Sequence, residues 1–497
     1  MSHESVDMKD IQGIVRFGYS ALTEACFLLL TVRDATAARA WLKSAAVTTA
    51  EKLSKPPDTA LQVAFTREGL EALGVDEDVL AGFSAEFLSG MAGEDSRSRR
   101  LGDTGANSPN SWRWGGPGKI PHVLVMVYAK PGLLDGWMRT IQGEKWNAAF
   151  TLTDCLPTSD LQGMEPFGFK DGLSQPSLDW ERKRDPRGDE LEYENLLSLG
   201  EFLLGYPNEY SKYTSRPLLP ADAPFSSVLP VAEDEPGMRD FGCNGTFLVF
   251  RQLDQDVRGF WRFVNKASDS NPQERQQLAE AMVGRGMNGT PLVPVVSKPI
   301  AGIDPGTAAT NQFTYTSDPD GVRCPFGAHI RRANPRTPDL PAENNLISRL
   351  GHMLGFGNPR YRDDVIASSR FHRIVRRGRE YGEKLTPEDA IRDDPNSAEH
   401  GIHFIGLVGN ILRQFEFVQN SWVMGTKFDA LSDESDPLLG NRSPIAGREA
   451  NAFSRPRETG LERRYEGLPQ FVTVRGGAYF FLPSLSALRY LAMLGQH

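Results

Sequence analysis

Cysteine is scarce in this sequence, with four in 497 residues. Cys26, Cys155, Cys243 and Cys324 stand far apart and form no Cys-x-x-Cys pair, which excludes a zinc ribbon or a thioredoxin-type site. No Cys-x-x-Cys-His occurs, so covalent haem attachment of the c type is excluded too. Cys26, Cys243 and Cys324 lie beside apolar residues and read as buried, inert thiols. No apolar run approaches the ~20 residues that span a bilayer. The segment Met1–Asp10 lacks a basic region, an apolar core and a twin arginine, so a cytoplasmic protein is expected. Excess positive charge is also missing. Lys and Arg number 55 against 64 Asp and Glu, and the net charge of -9 argues against a protein held on nucleic acid by phosphate contacts. His-Glu-x-x-His is absent, and with it the usual signature of metal-dependent hydrolysis.

What is present begins with a faint repeat. Phe27 to Asp34 is a strand-like apolar run closed by Asp, with Trp41 in the helical pattern behind it. Phe247 to Asp254 is the same kind of run, with Trp261 at the matching place. The pattern predicts a buried strand, an Asp that caps the next helix and a Trp that anchors it, and so two similar α+β halves. A buried strand is expected at His122–Ala129. A strand, a Gly-Gly bend and a second strand are expected over Phe471–Pro483, followed by a helix at Ser484–Leu494. Helical patterns lie at Arg67–Leu73, Pro272–Val283 and Glu343–Leu354. Long polar stretches at Arg182–Glu194, Tyr210–Pro236, Ser297–Val322 and Tyr381–Ala398 read as insertions on a simpler core.

Three clusters carry chemistry. In Phe167–Pro176, Gly168 and Gly172 flank Asp171. Glycine lets the backbone approach a flat ligand, with Asp171 aimed into a cavity, although an ordinary Asp-Gly turn fits the same residues. In Arg323–Arg336, His329 follows a small-residue segment and precedes Arg331, Arg332 and Arg336. Imidazole suits iron and arginine suits carboxylates, while a satisfied core histidine is the plainer reading. In Phe371–Gly378, alternation suits a short strand. Arg376 then faces a cavity or belongs to a charged edge strand.

Taken together and in this order, the three clusters resemble the haem-site segments of the dye-decolourising peroxidases. Asp10–Gly13 with Gly18 and Tyr19 resembles that family's opening strand, and Gly200–Pro207, Asn244–Arg251 and Phe471–Gly477 match further segments. The resemblance covers most of the chain and points to the larger members with long insertions. It implies an α+β fold of two ferredoxin-like domains, antiparallel sheets covered by helices, as in the dimeric α+β barrel superfamily. The domains are expected at residues 1–210 and 241–497, with 211–240 as a linker or insertion and the haem mainly in the second.

The resemblance also implies roles. His329 is the proximal ligand of one haem b per chain, Arg331 a propionate partner, and Asp436 the carboxylate behind the His329 ring, with Asp429, Asp433 and Glu434 close by as alternatives. Asp171 shuttles a proton of hydrogen peroxide during formation of the ferryl species, and Arg376 steadies the leaving oxygen. Ile402 and Phe404 close the peroxide side. His372 is a rival acid–base group, as a His–Arg pair serves plant-type peroxidases. Aromatic or dye-like donors are the expected reductants, with Tyr381 and Trp422 as candidate electron relays. A haem storage or sensing protein is the competing reading, which needs neither Asp171 nor Arg376. Nucleic acid and membrane are not expected partners, and the oligomeric state is left open.

Overall fold

The apolar run Glu24–Val32 forms the first strand, β1. The computed structural model describes residues 5–186, 193–295, 310–337, 368–392, 398–443, 447 and 449–495. In it β1 pairs antiparallel with β3 (Val123–Ala129) and β4 (Phe150–Pro157), and β3 pairs with β2 (Thr59–Phe65). The order is β4-β1-β3-β2. Helix α1 (Ala35–Ser44) follows β1 and α2 (Leu134–Ile141) follows β3, which completes a ferredoxin-like unit.

The second half repeats this plan. Strand β5 (Thr246–Gln255) lies between β9 (Val472–Leu482) and β8 (Gly401–Val408). Two short strands, β6 (Val375–Arg376) and β7 (Arg379–Tyr381), pair with the far side of β8. The halves join where Phe481 of β9 pairs with Phe65 of β2, giving one nine-stranded sheet among the described residues. The fold is thus α+β with two ferredoxin-like units. Alternate strand residues bury on opposite faces: Leu28, Val125 and Val249 on one, Phe27, Met126 and Phe250 on the other. Sheets covered on both faces read as nearly continuous apolar runs, as these strands do.

The repeat holds in its strands and tryptophans but not in its caps. Asp34 caps α1, its Oδ1 accepting the Ala37 N–H at 2.7 Å. Asp254 does not play that part. It pairs with Arg475, and Asp256 caps α3 (Val257–Ala267) by accepting the Gly259 N–H at 2.7 Å. The strand is longer by one pleat, and two residues preserve its alternation. Trp41 and Trp261 still anchor their helices, donating to the carbonyls of Ile141 and Phe167.

Two expectations are corrected. Phe471–Pro483 holds no bend: β9 runs through Gly476 and Gly477, with a shift of register between Val474 and Gly476. A Cβ on Gly476 would lie 2.4 Å from the Trp114 ring, and one on Gly115 would lie 2.0 Å from the Gly477 carbonyl. Those glycines serve close approach rather than a turn. The segment at Asp10–Gly13 is not a strand either. A single 3-10 turn at Gly13–Val15 follows it, while the Gln12 side chain bonds Val63 and the Pro483 carbonyl. Its backbone makes one antiparallel bridge, Gln12 with Thr49, in which the Gly13 N–H donates to the Thr48 carbonyl and the Ala50 N–H to the Ile11 carbonyl, and the 3-10 turn ends the pairing there.

The helices at Arg67–Ala72, α4 (Pro272–Val283) and, near the C-terminus, Leu485–Met493 lie where the pattern put them. The helix expected over Glu343–Leu354 lies outside the described residues. Among the described residues no helix is long and apolar enough to cross a membrane.

Candidate active site

His329 opens a single helical turn, α5 (His329–Ala333). Its Nδ1 lies 2.9 Å from Oδ2 of Asp436. The other oxygen of that carboxylate accepts the N–H groups of Leu438 and Leu439 at 2.9 and 2.8 Å. Burial would raise the Asp436 pKa, but the His329 ring, Arg332 and the Leu439 N–H hold it below the usual carboxylate value. An ionised carboxylate there accepts a hydrogen bond from Nδ1–H and leaves the Nε2 lone pair free to bind. Burial also pulls the His329 pKa down, and Asp436 outweighs it and raises the value. Of the acidic residues near Asp436 in sequence, Glu434 bonds Ser454 and Arg464 instead.

Two arginines of α5 brace this pair. Arg332 is wholly buried and donates to the carbonyls of Trp422, Gly425 and Glu434 at 2.8, 2.9 and 2.6 Å, which tethers the chain leading to Asp436. Arg331 lies between the rings of Tyr315 and Phe326, at 4.5 and 4.4 Å. It donates to the Cys324 carbonyl at 2.8 Å and approaches Asp318. The hydrogen bonds of Arg331 run through Nη1 to the turn ahead of His329.

Asp171 comes from the other side, on the loop that follows β4. Gly168 and Gly172 sit at φ of +96° and +76°, where a side chain would be strained. The Lys170 N–H donates to Met287 and that of Asp171 to Gly163. Glu165 shapes the loop, its carboxylate accepting the N–H groups of Phe167 and Phe169 at 3.0 Å each. Burial pushes the Glu165 pKa up to about 7.

Arg376 stands on β6 and donates to Asp171 Oδ1 at 3.0 Å. Gln175, four residues beyond Asp171, accepts the Arg376 N–H at 3.0 Å and donates to its carbonyl at 3.1 Å. The loop is thereby stitched to the edge of the sheet. Burial raises the Asp171 pKa, but the charge of Arg376, the Gly172 N–H and the Arg376 hydrogen bond bring it below the ordinary value. The charges of both residues are felt at His329. The side chains of His329, Asp171 and Arg376 keep 25, 35 and 34% exposure, so they border open space rather than packed core.

Ile402 and Phe404 lie on the same face of the sheet as Arg376, because Arg376 pairs with Gly406 and side chains two and four residues away share that face. Both are half-buried. Three further buried arginines, Arg285, Arg336 and Arg373, form no ion pair with a carboxylate among the described residues. Burial and the neighbouring charge of Arg336 push Arg285 down to about 10. Ser174 ties two of them to the Asp171 loop, accepting from Arg336 at 2.9 Å and from Arg285 at 3.4 Å.

His372 is not beside Asp171. It closes a 3-10 turn at Ser369–His372, hydrogen-bonds the Arg413 carbonyl and stacks on Phe417 at 3.8 Å. Burial pushes its pKa down to about 4. Trp422 is buried edge-on to the same imidazole at 5.2 Å. Tyr381 stacks on His403 and donates to the Leu253 carbonyl. Nothing in the sequence marks out Gln175, Ser174 or Glu165; Arg332 stands there only as one of the carboxylate-binding arginines behind His329, and its bracing of three carbonyls is visible only in the structure.

The donor set fits a haem. It offers one imidazole, and among the described residues no group of three His, Cys, Asp or Glu is placed to hold a bare metal ion. A single axial nitrogen suits a metal already held in a macrocycle. Arg285, Arg336 and Arg373, buried without a carboxylate partner among the described residues, would have their charge balanced by the two propionates of a haem.

No family model matches the chain. The dye-decolorizing peroxidase msp1 of Mycetinis scorodonius is 30% identical over 516 residues, covering 98% of this chain and 88% of the relative. The multifunctional dye peroxidase DyP2 of Amycolatopsis sp. is 27% identical over 89% of this chain and 84% of its own length. The solved structure of a decolorizing peroxidase from Auricularia auricula-judae shares the fold at a TM-score of 0.70 and 23% identity, over 98% of this chain and 100% of the other. A dye-decolorizing peroxidase in complex with 2,6-dimethoxyphenol gives the same values.

Proposed function

Since this chain belongs to the dye-decolourising peroxidase family, and is a haem peroxidase that uses hydrogen peroxide, we propose that His329, Asp171 and Arg376 carry its reaction. The cofactor is one haem b per chain, bound through His329 Nε2. When bound, the haem supplies the metal at which the peroxide O–O bond is cleaved. The observation that carries the reading is the Arg376–Asp171 contact of 3.0 Å, on residues whose charges reach His329.

Asp171 accepts the proton of the inner peroxide oxygen and returns it to the outer one, which leaves as water. Its lowered pKa keeps it ionised and ready for the first of these transfers. Arg376 places fixed positive charge where the departing oxygen becomes negative. Asp436 holds the His329 ring in the binding tautomer and makes it a stronger ligand. Ile402 and Phe404 limit the space on the Asp171 side. Arg285, Arg336 and Arg373 provide the charge against which the haem carboxylates rest.

Aromatic compounds and dyes are the electron donors in this reading, and the protein works in the cytoplasm. We place the domain division at residues 211–240, between the last strand of the first unit and the first of the second. The test is reconstitution with haem, followed by peroxide-dependent oxidation of an aromatic donor in the parent and in Asp171→Asn. Turnover in the parent and its loss in the variant support the assignment. Haem binding without turnover in either returns the competing reading of storage or sensing.

A further inference from the structure

β4 is an edge strand, paired only with β1 among the described strands. Its Cys155 is exposed, while Cys26 on β1 is buried. Leu28 pairs with Cys155 and Cys26 with Pro157, so the two cysteines are diagonal neighbours on one face of the sheet. Their Sγ atoms lie 2.8 Å apart. We propose that Cys26 and Cys155 are a redox-modified pair that hydrogen peroxide converts to a reversible disulfide.

The chemistry follows from the two environments. The Cys26–Cys155 contact, and after it burial, pushes the Cys26 thiol up. The same contact brings Cys155 down to about 7, against burial and the charge of Asp154. Cys155, exposed on the edge strand, is the sulfur that peroxide reaches first, and the buried Cys26 is its resolving partner. The Cys155 thiolate attacks hydrogen peroxide, the O–O bond breaks, and sulfenic acid and hydroxide form. Cys26 then attacks the Cys155 sulfur, an S–S bond forms, and the hydroxyl leaves as water with the proton released by Cys26. Two electrons pass from the two sulfurs to one peroxide, which the protein's own activity requires in its surroundings.

The cross-link would pin β4 where the Asp171 loop leaves the sheet. The Pro157 carbonyl accepts from His403 Nε2 at 3.1 Å, and the Ser159 N–H donates to Glu380 at 2.8 Å. The chain then reaches Gly163, whose carbonyl accepts the Asp171 N–H. The bond would close a loop between residues 129 apart, which removes much freedom from the unfolded chain. Cys324 is buried and Cys243 half-buried, and neither has a cysteine beside it among the described residues.

The test uses reduced holoenzyme exposed to hydrogen peroxide or to diamide, then denatured, alkylated, digested and weighed. The expected product is a Cys26–Cys155 peptide pair lighter by two hydrogens, reversed by dithiothreitol, with Cys243 and Cys324 alkylated. Cys155→Ser should abolish the pair and leave Cys26 alkylated. The oxidised parent should melt about 5 °C above the reduced one, and Cys155→Ser should show no such gap. Cys26 and Cys155 alkylated after diamide, or Cys155 carried to sulfinic acid without a cross-link, overturns the proposal. Diamide acts without peroxidase chemistry, so this result does not depend on the haem assignment.

Discussion

His329 and Asp436 are 107 residues apart in the sequence and 2.9 Å apart in the structure. Three supports hold them there. Arg332 ties the start of the Asp436 segment to the helix of His329. The Leu438 and Leu439 N–H groups fix the far oxygen of the carboxylate. Arg442 donates to the Asp436 carbonyl at 3.0 Å. A ligand held this way spends little entropy when it binds.

The first prediction concerns that ligand. His329→Ala should lose most of its haem, read as the Soret absorbance per chain after reconstitution. Asp436→Asn should keep haem but bind it more weakly, by about 10–100-fold, because the amide no longer fixes the imidazole as a carboxylate does. A full Soret band with unchanged ligation in His329→Ala would show that another residue holds the iron.

Asp171→Asn and Arg376→Leu should retain haem and slow the peroxide step. Positioned proton transfer is worth about 10²–10⁴-fold, so Asp171→Asn should fall in that range in single-turnover stopped flow. His372→Ala should leave the rate within about twofold, since its Nδ1 is committed to the Arg413 carbonyl. The opposite pattern would move the acid–base role to His372.

The pH dependence follows from the sign of one shift. Arg376 and the Gly172 N–H outweigh burial and hold Asp171 below its ordinary pKa of about 3.9. Its proton-accepting form is therefore present above that value and is lost only as pH falls through the lowered pKa. The contact stabilises the fold over the same window, present above the unfolded pKa and lost below the folded one. A pH profile alone does not distinguish His372, which burial has pushed down to about 4. The peroxide step should stay rapid from neutral pH to below about pH 4 in both the parent and His372→Ala. Loss of the rate near an ordinary histidine pKa of about 6.5 would contradict an aspartate base.

Arg332→Ala tests the brace. It strips three carbonyls of their donor in a site without exposure. At about 1–3 kcal/mol for each buried group left unpaired, the loss should be about 3 kcal/mol or more. Denaturant unfolding of the haem-free protein measures it. Haem affinity should fall as well, through displacement of Asp436. A change under about 1 kcal/mol would show that the carbonyls find other partners.

The sequence by itself determined the strands and the two-fold plan, because short, nearly continuous runs of branched and aromatic residues leave few other arrangements. Thus Phe27 and Phe247 both lie in first strands of their units, and Trp41 and Trp261 both anchor helices. Ordered motifs also marked His329, Asp171 and Arg376. The helix caps were less readable: Asp254 and Asp256 are chemically alike, and only the length of the strand selects between them. Gly476 and Gly477 read as a bend, since the approach of Trp114 comes from a distant segment.

Tertiary structure alone decided which arginine does what. Arg331, Arg332, Arg336 and Arg376 are alike in composition, but one is clamped by two rings, one feeds three carbonyls, one bonds Ser174 and one meets Asp171. It also brought Cys26 to Cys155, which local apolar neighbours had made look inert. A residue's type sets what it can bond, and its neighbours along the chain set its strand or helix. Which partner it meets depends on sheet register and on contacts closed across more than a hundred residues, as at Cys26 and Cys155, and no local pattern encodes these.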